Sequence, residues 1–243
     1  MTLAAGSNAT VGSPLRPPLR ALLFDLDGTL LDTAPDLAAA TNGLRALHGL
    51  PPLSYAEIRP WVSHGGTALT RLALGLDPGV TGFEDARLAL LDLYQRDIAR
   101  ATTLFPGMQQ CLRALADRGL PWGIVTNKPS RLTTPLLATL GLATQAACVV
   151  CGDTTPWSKP HPAPLLHACA LLGLPPSSCL YIGDAERDIQ AARAAGMPAL
   201  AATWGYLGAA DRPQDWGADG LLEDPQALSE WLSARAPLPA ERR

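Results

Sequence analysis

The 243-residue chain is predicted to take an α/β fold, with one parallel sheet covered by helices on both faces and a small helical domain inserted into it. Three observations predict this. Short apolar runs with the character of buried strands recur along the chain and end in polar residues: "ALLFDLD" (21–27), "PWGIVTN" (121–127), "QAACVVCGD" (145–153), "SCLYIGD" (178–184) and "PALAATW" (198–204). Segments of helical period separate them. One connection, from Asp27 to Trp122, is far longer than the dozen or so residues of a normal crossover.

Residues 1–20, "MTLAAGSNATVGSPLRPPLR", are small, polar and proline-containing, without the basic start and apolar block of a signal peptide, so a disordered leader is expected. No run is long enough to span a bilayer, and the cytoplasm is the expected compartment. The first strand ends in two aspartates, Asp25 and Asp27, that repel each other unless a cation, a hydrogen-bond network or a proton intervenes. Asp27-Gly28 also reads as a hairpin turn. No partner strand comes after it, however; the chain continues in helical patterns over 36–48, 66–75 and 84–101, the last with Leu88, Leu91 and Ile98 along one face. These form a helical cap over residues 34–104, bounded near Thr33 and Phe105-Pro106-Gly107.

After the insert, "PGMQQCLRALADRG" sets Met108, Leu112 and Leu115 on one side and closes at Gly119. "SRLTTPLLATLG" is expected to start from an N-cap at Ser130, with Pro135 weakening its first turns. "PAPLLHACALLG" carries its prolines at the tolerated end. "AERDIQAARAAG" is expected to run from an N-cap at Asp184 to Gly196. The sum is a Rossmann-like three-layer core over 21–33 and 105–235, with a flexible tail over 236–243.

Composition narrows the function. At 47% hydrophobic residues the chain can bury a sizeable core. Nineteen basic against 22 acidic residues, a net charge of −3 and no basic stripe give no support to a nucleic-acid partner, and an aromatic content of 5% argues against a single-strand stacking platform, so no nucleic-acid partner is expected. No membrane partner is expected. Cys148 and Cys151 form a C-x-x-C, but they flank two valines in a strand-like run, where positions three apart face opposite ways. With five cysteines and no export signal, buried free thiols are expected.

Ligands of an open parallel sheet bind outside the carboxyl ends of its strands. Asp25 and Asp27, Thr126 and Asn127, Lys159, and Asp184 with Asp188 should therefore converge. Clustered carboxylates suit a hard cation such as Mg2+. A lysine and a hydroxyl beside them make a place for a phosphoryl group, whose oxygens the cations neutralise. Blander roles compete: Asp188 as a solvated helix residue, Asp32 and Asp36 as helix-start charges, His161 and His167 as surface residues.

"DLDGT" (25–29), "VTN" (125–127), "SKPHP" (158–162) and "IGDAERD" (182–188) together resemble the four motifs of the haloacid dehalogenase superfamily, over about Ala21 to about Asp224. The resemblance implies a role for each residue. Asp25 is the nucleophile that becomes an aspartyl-phosphate and also binds Mg2+. Asp27 protonates the leaving oxygen, then takes a proton from the hydrolytic water, and its backbone carbonyl binds the metal. Thr126 hydrogen-bonds the phosphoryl group, Lys159 holds the nucleophile and the phosphoryl charge, Asp184 is the third metal ligand, and Asp188 supports it from behind. The dehalogenases themselves lack an aspartate at the Asp27 position. The phosphonoacetaldehyde hydrolases have alanine there and a cap lysine, and residues 34–104 contain no lysine.

"FDLDGTLLDTAPDLAAA" and "TNKP" resemble the phosphoglycolate phosphatase group, which has close relatives acting on N-acetylmuramic acid 6-phosphate; "WGYLGAADRPQDWGAD" (204–219) resembles both. The expected activity is Mg2+-dependent hydrolysis of a small phosphomonoester, phosphoglycolate first and N-acetylmuramic acid 6-phosphate as the alternative. A sugar phosphomutase and a non-catalytic binding protein of the same fold are the remaining alternatives. In the cap, "WVSHGGTALTRLAL" (61–74) departs from the "VGNGxxxLxxRAL" of phosphoglycolate phosphatases, with Ser63 and His64 at the glycine–asparagine pair and Arg71 one place early. "SHGG" is nearer the "SGG" of the muramic acid 6-phosphate enzymes. Gly65 and Gly66, opening a helix, offer backbone N–H groups to an anion. Ser63, His64, Gly65 and Arg71 are the expected cap contacts, beside Thr126, Asn127 and Lys159 from the core; Arg71 reads equally as a solvated helix charge.

Overall fold

The computed structural model describes residues 18–235. The expected leader lies outside the described residues except for Pro18, Leu19 and Arg20, and the expected tail over 236–243 lies outside them altogether.

The apolar runs pair as strands. In chain order they are β1 (Ala21–Phe24), β2 (Leu31–Asp32), β3 (Thr103–Leu104), β4 (Trp122–Val125), β5 (Val149–Val150), β6 (Cys179–Gly183), β7 (Ala199–Ala202) and β8 (Gly220–Leu222). Six of them form one sheet of order β5-β4-β1-β6-β7-β8, every neighbouring pair parallel. The chain runs outward from β1 in both directions, so the strand order reverses beside β1, where ligands of such sheets sit.

Side-chain alternation builds the three layers. Leu22 and Phe24 face one core, shared with Ile124, Ile182 and Leu200. Ala21 and Leu23 face the other, with Val125, Tyr181 and Ala199. Among the helices, α1 (Ala34–Leu47), α2 (Tyr55–Ile58), α3 (Gly65–Leu74) and α4 (Phe83–Arg96) come between β2 and β3. They are followed by α5 (Met108–Asp117), α6 (Ser130–Thr139), α7 (Ala163–Leu172), α8 (Glu186–Ala194) and α9 (Pro225–Arg235). Buried residues of α5, α6 and α9 join the first core, and those of α7 and α8 the second. The predicted α/β fold is thus observed.

Several elements differ from expectation. β1, β4 and β6 stop before their terminal polar residues, so Asp25, Asp27, Thr126, Asn127 and Asp184 all lie past the strand ends. β8 and the antiparallel pair β2–β3 were not anticipated; the pair joins the two chain crossings at the foot of the helical insert. α4 ends at Arg96 rather than near 101, and its inner face is Ala86, Leu90, Leu91 and Tyr94, while Leu88 is 46% exposed. Pro129, not Ser130, is the N-cap of α6; Asp153 accepts both the Ser130 N–H and its hydroxyl. Ala185, not Asp184, caps α8, its N–H accepted by Asp188.

Asp36 is a helix-start charge, as expected, in the first turn of α1. It is buried and accepts hydrogen bonds from the Ala101 N–H, the Thr102 N–H and the Thr102 hydroxyl, tying α1 to the returning chain. Asp32 accepts from the Tyr206 hydroxyl, which itself accepts from the Ala34 N–H. All five cysteines are buried. Among the described residues, no helix is long and apolar enough to cross a membrane.

Candidate active site

The turn after β1 positions two carboxylates. The Asp25 N–H extends the ladder to the Ile182 carbonyl, and the Leu26 N–H bonds Asp25 Oδ1 at 2.7 Å, so the side chain is held by its own turn. Gly28 then takes φ +86°, and a Cβ there would sit 2.2 Å from Asp184 Oδ2, so only glycine lets the two segments meet.

Lys159 lies on the loop between β5 and α7, its backbone gripped at both polar atoms by Asn127: Oδ1 accepts the Lys159 N–H and Nδ2 donates to its carbonyl, each at 2.9 Å. Its buried ammonium contacts Asp25 Oδ1 at 2.9 Å and Asp188 Oδ1 at 2.7 Å. It also donates to the Val125 carbonyl and the Tyr181 hydroxyl. Both contacts on Asp25 therefore fall on Oδ1, and no described residue hydrogen-bonds Oδ2.

Asp184 accepts from the Thr29 hydroxyl, the Ser63 hydroxyl and the Tyr206 N–H. Burial, and then the nearby Asp25 and Asp188, push its carboxyl up to about 7. Burial likewise raises Asp25 to about 6, against the pull of Lys159. One carboxylate oxygen from each of Asp25, Asp184 and Asp188 lies within 4.8 Å of the others. Three buried carboxylates against Lys159 and the nearby Arg187 guanidinium form a hard oxygen donor set still short of positive charge, which suits Mg2+. Both oxygens of Asp188 are engaged, by Lys159 and the Ala185 N–H, and both of Asp184 accept hydrogen bonds, so Asp25 Oδ2 is the one oxygen of the three carboxylates without a described partner.

Asp27 stands apart from that cluster. Its Oδ1 pairs with Lys128 Nζ at 2.7 Å and accepts from the Thr33 hydroxyl. Lys128 is buried, and its ammonium also lies 4.7 Å from the ring centre of Tyr94 on α4. Asp25, Asp27, Thr126, Asn127 and Lys128 line one cavity of about 380 Å³, together with Ser63, His64, Gly65 and Tyr94 from the helical insert. That volume falls toward the lower end of small-molecule pockets, roughly 300–1,000 Å³.

The expected residues are thus mostly gathered, with one exception. Arg71 does not line this cavity: it is 65% exposed and paired with Asp77 at 2.8 Å, as its outward place on α3 dictates. Ser63 touches Asp184 directly, and its carbonyl accepts from Arg187, so the insert is latched to the core through both. Lys128, Tyr94 and Arg187 were not singled out from the sequence. Lys128 had a signal, standing directly after the strand-end pair Thr126-Asn127; Tyr94 had none beyond its place on a buried helical face.

Comparison with known proteins agrees with this geometry. The model of the haloacid dehalogenase-like hydrolases matches residues 19–196. The chain is 45% identical to N-acetylmuramic acid 6-phosphate phosphatase of Pseudomonas putida, over 89% of its length and 97% of that protein. It is also 45% identical to phosphoglycolate phosphatase of Xanthomonas campestris pv. campestris, over 90% and 98%. In structure it resembles a predicted phosphoglycolate phosphatase from Haemophilus somnus, with a TM-score of 0.78, 28% identity, and coverage of 88% of this chain and 97% of that one.

Proposed function

The chain belongs to the haloacid dehalogenase-like hydrolases and is a phosphatase, and on that basis we propose that Asp25 is its nucleophile and a small phosphorylated carboxylic acid its substrate. The observation that carries the proposal is the division of labour between the two aspartates: Asp25 is held through one oxygen by Lys159, and Asp27 is held separately by Lys128 and Thr33.

Asp25 Oδ2 attacks phosphorus, the ester P–O bond breaks, and Asp27 delivers a proton to the departing oxygen. The resulting aspartyl-phosphate is opened by water at phosphorus, with Asp27 taking the water's proton, and inorganic phosphate leaves. The Thr126 hydroxyl and Lys159 hold the phosphoryl oxygens through both steps. Asn127 keeps the Lys159 backbone in place, and Asp188 keeps its ammonium directed at Asp25. Asp25, Asp184 and the Asp27 carbonyl would hold Mg2+, which supplies positive charge at the phosphoryl oxygens when bound. Residues 34–104 act as the cap over this chemistry, and the remaining core as its platform. A cytoplasmic location suits five buried thiols.

Phosphoglycolate is the first candidate, by the group that the core motifs resemble. N-acetylmuramic acid 6-phosphate is the second, favoured by a cavity larger than a two-carbon acid fills, with Leu37, Val62, Leu91 and Leu132 on its wall. Phosphate release from both esters, with Mg2+ and with EDTA, tests the reading. Metal-dependent release from at least one of them supports it. No release from either, by a folded protein, overturns it, and a kcat/KM ratio above about tenfold between them ranks the two substrates by more than a single weak contact can supply.

A further inference from the structure

Tyr94 is buried to 1% exposure, yet among the described residues its hydroxyl has no hydrogen-bond acceptor, the neighbouring Lys128 ammonium being a donor only. Such a group is rare, because leaving a buried hydroxyl unsatisfied is costly. The residue lines the cavity, and its ring face is covered by the Lys128 ammonium, so the ring is fixed while its polar end is not satisfied. Burial raises this phenol to about 12, which keeps it a hydrogen-bond donor throughout the neutral range. Arg87, two turns earlier on the same face of α4, lines the same cavity with its side chain 30% exposed; its Nε and Nη2 bond Glu84, which leaves Nη1 to face a ligand. Gly66 and Thr67, the opening turn of α3, complete that wall, and Gly66 packs where a Cβ would come within 3.0 Å of Leu91.

These features share one sense. Hydroxyl, guanidinium and helix N-terminus all offer hydrogen to an acceptor or positive charge to an anion. The phosphoryl group is already provided for on the core side, by Lys159 and Thr126. We propose that the insert side of the cavity is a carboxylate subsite, in which the Tyr94 hydroxyl donates to the carboxylate of the substrate's non-phosphate part beside the Arg87 guanidinium. Tyr94 is then a specificity-determining residue. The inference rests on the phosphatase reading above and adds to it which end of the substrate the insert reads. A site built to hydrogen-bond one group rejects an analogue lacking it, because its own polar atoms are left unpaired.

Tyr94→Phe keeps the ring, and with it the packing and the Lys128 contact, and removes only the donor. The measurement is kcat/KM for 2-phosphoglycolate and N-acetylmuramic acid 6-phosphate, each divided by that for ethyl phosphate, which has no carboxylate. The ratio for the accepted acid should fall about 10- to 100-fold in Tyr94→Phe, the worth of one hydrogen bond to a charged group. Arg87→Gln should lower the same ratio, and the double variant should lose less than the product of the two, since both hold one carboxylate. An unchanged ratio in Tyr94→Phe, whether all rates fall together or none does, overturns the subsite while leaving the phosphatase reading intact. Absence of turnover of every ester by the unaltered protein would instead remove the reading on which it rests.

Discussion

At the scale of single residues, the site depends on how its buried charges are partnered: Asp25 and Asp188 share Lys159, whereas Asp27 has Lys128 to itself. Lys128 and Asp27 pair with side chains only 6% and 15% exposed. Removing one member of such a pair leaves the other buried and uncompensated. Lys128→Met is therefore expected to lower kcat by about 10- to 100-fold, and Asp27→Asn by about 100- to 10,000-fold, the usual worth of a general acid–base group. Steady-state kinetics on the accepted ester check both; a Lys128→Met enzyme with full kcat would mean that Asp27 works without this partner. Asp25, Asp27 and Asp184 were legible in the sequence because charged residues directly after apolar strands have little to do there except meet a ligand, and Lys159 was legible through the "SKPHP" motif in which it stands. Arg71 stayed open between cap contact and solvated helix charge for the opposite reason: a charge on a helix can face either way, and here it pairs with Asp77 outside the cavity.

At the scale of elements, the crossings between sheet and insert are fastened by buried polar contacts rather than by apolar area alone. Asp36 on α1 holds the backbone at Ala101 and Thr102, and Tyr206 bridges Asp32 and the start of α1. Asp36→Ala is expected to destabilise the protein by about 2–4 kcal/mol, from the loss of several bonds to a charged acceptor and the orphaning of buried N–H groups. Urea denaturation measures this, and a change under about 0.5 kcal/mol, typical of a surface substitution, would show that the tie is dispensable. The strands of the sheet were readable because each is a short apolar run buried on both faces. β8 was not, since Gly220–Leu222 has only one buried residue and is made a strand by its neighbour β7. The end of α4 was overrun because Ile98 is apolar and buried although the helix has already stopped.

At the scale of the whole molecule, the acidic cluster couples metal, pH and stability. Asp25 and Asp184 sit at about 6 and about 7 in the fold, above an ordinary value of 3.8, because burial disfavours their charge. A group raised in this way stabilises the fold while it stays protonated. That contribution is full below about pH 4 and is lost as pH climbs to about 7, where the folded protein too must carry the buried charge. In EDTA the Tm should therefore fall between pH 5 and pH 8 on account of this cluster. Mg2+ should raise the Tm more at pH 8 than at pH 5, because at low pH protons compete for the same oxygens. Differential scanning fluorimetry with and without Mg2+ checks this; an equal shift at both pH values, or none, would contradict a cation held by these carboxylates. The three-layer fold was readable as a whole because strand and helix patterns alternate, whereas the joining of insert and core through Ser63, Asp184 and Arg187 arises only when distant segments are brought together.

The proposed chemistry stands or falls on Asp25 carrying the phosphoryl group between two displacements. The direct test is to quench the enzyme with acid during turnover of the accepted ester and map the phosphoryl group by mass spectrometry. Phosphate is expected on the peptide containing Asp25 in the unaltered protein, and neither that adduct nor turnover in Asp25→Asn. Phosphate found on another residue, or an Asp25→Asn enzyme that retains more than about a hundredth of the rate, would contradict it.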